Sequence, residues 1–393
     1  MNKIFGAILL VAGATIGAGM LAVPVLTGQG GFFPSVILYV ISWLFCLGTA
    51  FCLLESVCWK LGKEEVNMGT LMRVTFGYSG QISLSIIYIL FFISLLTAYL
   101  CEGGSFFSSL LQLACSYKKL NFNILGILIF FILFSPFVLL GAKPVDLLNR
   151  FLIIGLVISF LIFCFNGLSK VQFQLLSYYS WKSVGKAFPI LFLSFGFHNI
   201  IPSLFYYLDK DMKKTRLVIT IGTIMPLIFY LIWQILTLGV LPLDVLIDAL
   251  INGHTVVFAL RKMLQCPLFQ WAGEFFGFFA LTSSFIGVSL GLFDFLLDLF
   301  RNNKLFKNYF IISILALGVP LVLAMFYPNI ALKCLFYGGG IGSVYVIGIA
   351  PVMMLWKGRY YYKYNGPKLL PGGKLMLLLL LLLICIDLVF ILY

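Results

Sequence analysis

The sequence predicts an all-α integral membrane protein of eleven transmembrane helices, built as two five-helix halves of opposite topology with one further helix at the C-terminal end. Three observations carry this. The 393-residue chain is 62% hydrophobic and 10% charged, with a mean hydropathy of +1.11. Its apolar residues fall into eleven runs of the length that crosses a bilayer, about 20 residues. Two of those runs, five spans apart, are interrupted by glycine and followed by proline at corresponding places.

Soluble domains carry about 45–50% apolar and about 25% charged residues. No aqueous fold could hide the apolar surface of this chain, so lipid is the solvent for most of it. The net charge of +13 does not indicate nucleic acid. That would need Lys and Arg gathered on one exposed face, and here they sit in short loops between apolar runs. Topology signalling and attraction to anionic lipid headgroups account for the charge. The nine cysteines form no C-x-x-C pair and read as small apolar residues; Cys115 and Cys266, in loops on one side, leave a disulfide open.

The predicted spans are 4–27, 32–55, 82–105, 124–141, 151–168, 188–207, 217–240, 268–299, 309–327, 331–356 and 375–392. The first follows a short basic start like a secretory signal, but it is long and runs at once into a second span, so a retained helix is expected. The eighth is overlong, which fits tilt or an extension beyond the bilayer. Residues 64–79 read as a short helix leading into the third span, and 242–265 as surface helix carrying His254, a solvated loop residue. Eighteen of the 26 Lys and Arg residues fall in one set of loops. The richer side is cytoplasmic, which puts the N-terminus inside and Tyr393 outside. The chain is expected to be a single membrane domain over 1–393, with repeats at 1–168 and 188–356 and the extra helix at 375–392.

The interrupted spans carry the functional signal. Span 1 contains Gly13-Ala14-Thr15-Ile16-Gly17-Ala18-Gly19-Met20 with Pro24 behind it, and span 6 contains Ser194-Phe195-Gly196-Phe197-His198-Asn199 with Pro202 behind it. Paired breaks at equivalent positions of two halves point to an inverted-repeat transporter site. Unwound backbone at the midplane is tolerated only around a cavity. A half-helix N-terminus suits a carboxylate and the preceding carbonyls suit an ammonium or a cation, so a zwitterionic amino acid matches both. Read alone, Gly13-x-x-x-Gly17 is equally a helix-packing motif.

Polar residues inside other spans extend the list of candidates. His198 beside the second break is read as a substrate or proton ligand, against a neutral histidine satisfied by its neighbours. Ser283, Ser284, Gly287, Gly291, Asp294 and Asp298 follow one face of span 8. Its hydroxyls are open between ion ligation and helix packing, and Asp294 and Asp298 suit gating pairs with loop cations. Tyr99 in span 3 is placed to cover a substrate, and Glu102 one turn on reads as a proton carrier or an interface residue. Glu55 ends span 2 as a simple cytoplasmic anchor, and Gly338, Gly339, Gly340 and Gly342 make span 10 flexible or closely packed. Phe195, Phe197 and Tyr99 could wall an aromatic side chain. A Walker-type phosphate loop, H-E-x-x-H and G-x-S-x-G are all absent, so neither ATP drive nor an enzyme, metal or cofactor is expected.

At these residues the chain resembles the hydroxy/aromatic amino acid permeases. The resemblance covers nearly the whole chain and rests on four ordered motifs: Gly17-Ala18-Gly19-Met20-Leu21-Ala22-Val23-Pro24; Gly31-Phe32-Phe33-Pro34-Ser35 with Trp43 and Glu55; Ser194-Phe195-Gly196-Phe197-His198 with Ile201-Pro202-Ser203-Leu204; and Ser284-Phe285 with Gly291-Leu292-Phe293-Asp294. Asn199 stands where that pattern commonly has glycine. The resemblance implies a leucine-transporter-type fold in a bacterial inner membrane and proton-driven uptake of tyrosine, tryptophan or phenylalanine.

The expected substrate-binding set is therefore Ala14, Thr15, Ile16, Gly17, Ala18, Gly19, Tyr99, Ser194, Phe195, Gly196, Phe197, His198 and Ser284, with His198, Glu102, Ser283 and Asp294 as coupling or gating candidates. The alternatives are the same fold with another neutral amino acid or with sodium coupling, and a membrane scaffold or channel without coupled transport.

Overall fold

The computed structural model describes residues 3–17, 19–59, 68–114, 121–252, 255–263, 267–300 and 309–392. Ala18, Cys115, His254 and Cys266 lie outside them, as do 64–67 of the predicted leading helix; so does the side chain of Asp298. The elements used below are α1 Lys3–Thr15, α2 Gly19–Thr27, α3 Phe32–Val57, α4 Met68–Ala114, α5 Phe122–Leu139, α6 Ala142–Leu168, α7 Phe188–Ser194, α8 Ile201–Tyr207, α9 Met212–Val240, α10 Leu243–Ile251, α11 Val256–Met263, α12 Pro267–Leu299, α13 Phe310–Phe326, α14 Ala331–Tyr361 and α15 Gly373–Leu392. Among the described residues nine helical segments are long and apolar enough to cross a membrane, with shorter apolar helices at Lys3–Thr15 and Phe310–Phe326.

Several boundaries differ from the sequence reading, each for a local reason. Span 1 is two helices, α1 and α2, because the chain leaves helical geometry at Ile16 and Gly17. Span 3 and its leading helix run together in α4 and bend at Gly77, whose φ of 74° lies where only glycine is comfortable. Span 5 begins nine residues earlier than apolar counting places it. The first turns of α6 carry the exposed ion pair Arg150–Asp146, 2.6 Å and one turn apart, which a hydropathy window ends on but a helix does not. The surface helix expected at 242–265 is two short helices, α10 and α11.

Helices α2 and α7 are largely buried, while α1 and α8 bury one face and expose residues such as Phe5 and Tyr207 on the other. α1 packs on α9 and α12, α2 on α7 and α9, and α7 on α3 and α14. α12 in turn packs along α6, α4 and α5. Small residues set the closest approach: Gly126 of α5 meets the carbonyl of Gly104 on α4, so that any side chain at 126 would meet backbone.

Glu55, read as a simple anchor at the end of span 2, is a buried one. Its side chain is 2% exposed and that of Arg359 8%. Arg359 Nε and Nη2 donate to Glu55 Oε1 and Oε2, both at 2.5 Å. The backbone N–H of Leu369 also donates to Oε2 at 2.7 Å, and Arg359 donates to the carbonyl of Leu370 at 3.0 Å. The end of α3 is thus tied to the segment joining α14 to α15. On the same end of the bundle, by chain topology, Lys3 pairs with Asp209 at 3.0 Å.

Candidate functional site

The two breaks meet. α1 stops at Thr15 and α2 begins at Gly19; α7 stops at Ser194 and α8 begins at Ile201. Gly19 lies so close to Ser194 that a Cβ there would overlap the serine side chain and press on its Cα. A Cβ on Gly17 would stand 2.6 Å from Ser284 Oγ, so α12 closes on the first break as well. One on Gly196 would meet Ile347 Cδ1 at 2.6 Å and the Leu193 carbonyl at 2.9 Å.

Tyr230 of α9, fully buried, holds the ends together. Its hydroxyl is 2.8 Å from the carbonyl of Thr15 and 3.0 Å from that of Ser194. These are terminal carbonyls of the two interrupted helices, groups without an intrahelical partner that lipid cannot satisfy. Trp233, one turn along α9, donates from Nε1 to the carbonyl of Met20 at 2.9 Å. Gln234 donates to Thr27 Oγ1 at 2.7 Å and accepts from Tyr39 at 3.2 Å. A single face of α9 therefore satisfies the backbone and hydroxyls of the broken span.

Between the breaks is a cavity of about 100 Å³. Gly13, Ala14, Thr15, Gly17 and Gly19 line it from the first span, and Ser194, Gly196, His198 and Asn199 from the second break. Tyr99 contributes from α4, Asn149 from α6, Ser283 and Ser284 from α12, and Val346 and Ile347 from α14. Ser283 donates to Asn149 Oδ1 at 2.5 Å. Two buried polar atoms on this wall have no hydrogen-bond partner among the described residues: Ser284 Oγ and His198 Nδ1.

The other ring nitrogen of His198, Nε2, is 2.9 Å from Thr49 Oγ1. That hydroxyl also lies 3.2 Å from the carbonyls of Phe45 and Cys46, which can only accept its proton. With the Thr49 proton turned to one of these carbonyls, Nε2 is the donor to Thr49 and Nδ1 of the neutral ring keeps a bare lone pair.

Some expected residues stand elsewhere. Ile16, Phe195 and Phe197 are buried but do not line the cavity. Phe195 packs edge-on against Tyr230 and Tyr39, with ring centroids 5.2 Å and 6.4 Å away. Glu102 faces a second, wider cavity of about 820 Å³, lined also by Glu274, Lys333, Phe106, Phe278 and residues of α10 and α11. Asp294 lines neither cavity. The sequence reading missed Tyr230, Trp233, Asn149 and Thr49. Asn149 was the one with a signal, an amide opening an apolar run; the others are common residues in helices that gave no periodic cue.

A family profile described as the tryptophan/tyrosine permease family matches residues 1–390. The chain belongs to this family. It is 35% identical over 365 residues to "Tyrosine-specific transport system 2" of Haemophilus influenzae, covering 91% of this chain and 88% of that one. It is 32% identical over 385 residues to "Tyrosine-specific transport system 1" of the same organism, covering 96% and 93%. It is also similar to "Glutamine transporter 2" of Aliivibrio fischeri, 28% identical over 333 residues and 81% of each chain. The chain is thus a transport protein and not an enzyme, and the meeting of its two breaks lies within the matched region of the permease.

Proposed function

We propose that this permease imports an aromatic amino acid, tyrosine or tryptophan, by proton symport with alternating access, holding the substrate in the small cavity between the two breaks. The observation that carries the reading is the contact of Gly19 with Ser194 beside a cavity walled by both interrupted spans. In this reading the chain is an eleven-helix, leucine-transporter-type 5+5 repeat over 1–168 and 188–356, with an added helix. Its N-terminus is cytoplasmic and its C-terminus outside.

The chemistry follows from the groups left open. The start of α2 at Gly19 carries the positive end of a helix dipole, which suits a substrate carboxylate. Carbonyls at the end of α1 and the hydroxyl of Ser284 suit its ammonium. His198 Nδ1 then offers one acceptor to the side chain. A phenol O–H or an indole N–H supplies the matching donor and a phenyl ring does not. An unmade bond to a buried polar atom costs about 1–3 kcal/mol, so this atom favours tyrosine and tryptophan over phenylalanine. The relatives named as tyrosine-specific support the same class.

The wide cavity lies at the end opposite the Glu55–Arg359 and Lys3–Asp209 contacts, which fits an outward-facing state with the cytoplasmic end tied. Rocking of α1, α2, α7 and α8 against the remaining helices would exchange access. Counterflow in proteoliposomes tests the substrate class. Labelled tyrosine and tryptophan are expected to exchange, and failure of both while a small aliphatic amino acid exchanges would reject it. A second reading, another neutral amino acid, is favoured by the glutamine transporter among the relatives; the same assay with glutamine decides it. Uptake under imposed pH and sodium gradients, applied separately, tests the coupling ion.

A further inference from the structure

We propose that Asp387 on α15 is a proton-binding site of the transport cycle, coupled to the substrate cavity through Cys46 and Thr49 of α3. It deepens the symport reading above and rests on it.

The last helix is two-faced. Leu378, Leu382 and Val389 are more than half exposed, as expected of a surface that meets lipid. The opposite face, Leu377, Leu380, Ile384 and Asp387, is buried at 4% exposure or less and repeats at helical spacing. This stripe packs on α3, α7 and α14: Leu380 lies against Gly48, Ile384 against Gly348, and Phe390 against Gly185 and Phe188. Three of its positions do what a packing stripe requires. The fourth is a carboxylic acid, 0% exposed, and neither of its oxygens has a hydrogen-bond partner among the described residues.

A structural role does not explain it. Removing a carboxylate from water without a partner is strongly unfavourable, and an apolar side chain would fill the place without that cost. No side chain among the described residues hydrogen-bonds either oxygen, and the Cys46 thiol of α3, near Gly48 where Leu380 packs, is close enough to feel its charge. Neutralisation therefore has to come from a proton. Ionisable side chains in the membrane interior mark ion pathways by default.

Position links this acid to the substrate cavity. Cys46 and Thr49 are one turn apart on α3. Cys46 is 3.6 Å from the carbonyl of Phe192 on α7, two residues before the second break. Thr49 holds His198 on the cavity wall. Asp387 thus sits where α7, an interrupted helix, meets helices that frame it. A shift of α7 that admits water beside α15 would let the acid ionise, and closure would require it to take a proton back. One proton bound from the outer side with substrate, and one released to the cytoplasmic side, balances each turnover.

The test uses the full-length protein in proteoliposomes, comparing wild type with Asp387→Asn. Gradient-driven accumulation of tyrosine and tryptophan is measured beside counterflow with no pH gradient. Asn is expected to keep counterflow within about twofold while accumulation falls at least tenfold. Equal accumulation by wild type and Asn would overturn the proposal, as would a parallel loss of both activities in folded Asn protein. If the Asn protein does not reach the membrane, Asp387→Glu decides. A shifted pH midpoint of driven uptake supports the proposal, and a profile identical to wild type overturns it. Absence of pH-driven accumulation in the wild type itself would instead reject proton symport, the reading beneath the proposal.

Discussion

Tyr230 reaches from α9 to the backbone carbonyl of Thr15, 2.8 Å away, at the point where the first span stops being a helix. The same hydroxyl is 3.0 Å from the carbonyl of Ser194 at the end of α7. One proton thus serves two chain breaks that are nearly 180 residues apart in sequence. Tyr230→Phe leaves both carbonyls without that donor at nearly unchanged volume. A buried acceptor left unmatched costs about 1–3 kcal/mol. The thermal midpoint is expected to fall and substrate affinity to weaken roughly tenfold, since about 1.4 kcal/mol is a factor of ten. Thermal unfolding with and without tyrosine measures both.

Gly19 has no room for a methyl group because Ser194 fills the space. Gly19→Ala is expected to abolish uptake. The double variant Gly19→Ala, Ser194→Gly removes the opposing side chain and is expected to restore part of the lost activity. Additivity of the two single effects, read from initial uptake rates, would show that the contact does not matter.

His198→Phe removes the ring nitrogen that is left without a partner in the cavity and keeps an aromatic ring. Competition of labelled substrate uptake by unlabelled tyrosine, tryptophan and phenylalanine is the measurement. Affinity for tyrosine and tryptophan is expected to drop about tenfold or more, with phenylalanine little changed, in keeping with about 1–3 kcal/mol for a lost buried bond.

The Glu55–Arg359 pair is buried on both sides. Removing one member strands the other charge, which costs about 3–5 kcal/mol. Arg359→Met is expected to lower the thermal midpoint sharply, and Glu55→Leu combined with Arg359→Met to recover much of the loss. This end of the bundle is also expected to open, read as increased labelling of a cysteine introduced at Thr75, whose carbonyl is 3.3 Å from Lys357.

Asp211 caps α9, accepting from the backbone N–H of Lys214 at 3.1 Å. That hydrogen bond, with help from the Lys214 side chain, holds its carboxyl below the usual range. A depressed folded value means the stabilisation is present above the unfolded value and is lost as pH falls through the folded one. Asp211→Asn keeps a capping oxygen and removes the titration. The variant is expected to lose less stability than wild type between about pH 5 and the acid limit, around an ordinary aspartate value of about 3.9, in thermal melts at stepped pH.

How much of this was legible in advance depends on the range of the interaction. Apolar runs and glycine-proline interruptions are local, so a break within 194–199 of span 6 and one within 13–20 of span 1 could be read from the sequence. Glu55 shows the limit. A carboxylate at the end of an apolar run reads as a simple anchor, and only the return of the chain some 300 residues later buries it beneath Arg359. Phe195 shows the converse. Beside a break it reads as part of the site, yet its ring turns toward Tyr230 and Tyr39.

By itself the sequence determined that lipid is the solvent, where most of the apolar helices lie within several residues and that the first and sixth spans are interrupted, because hydropathy and backbone freedom are properties of neighbouring residues. Only the tertiary structure decided that the two breaks touch, that one tyrosine serves both, that Ser284 and His198 are left open toward a common cavity, and that Asp387 is shut away from water. Each of these depends on which side chains from distant helices compete for the same few ångströms of space, and on whether a polar atom finds a partner there.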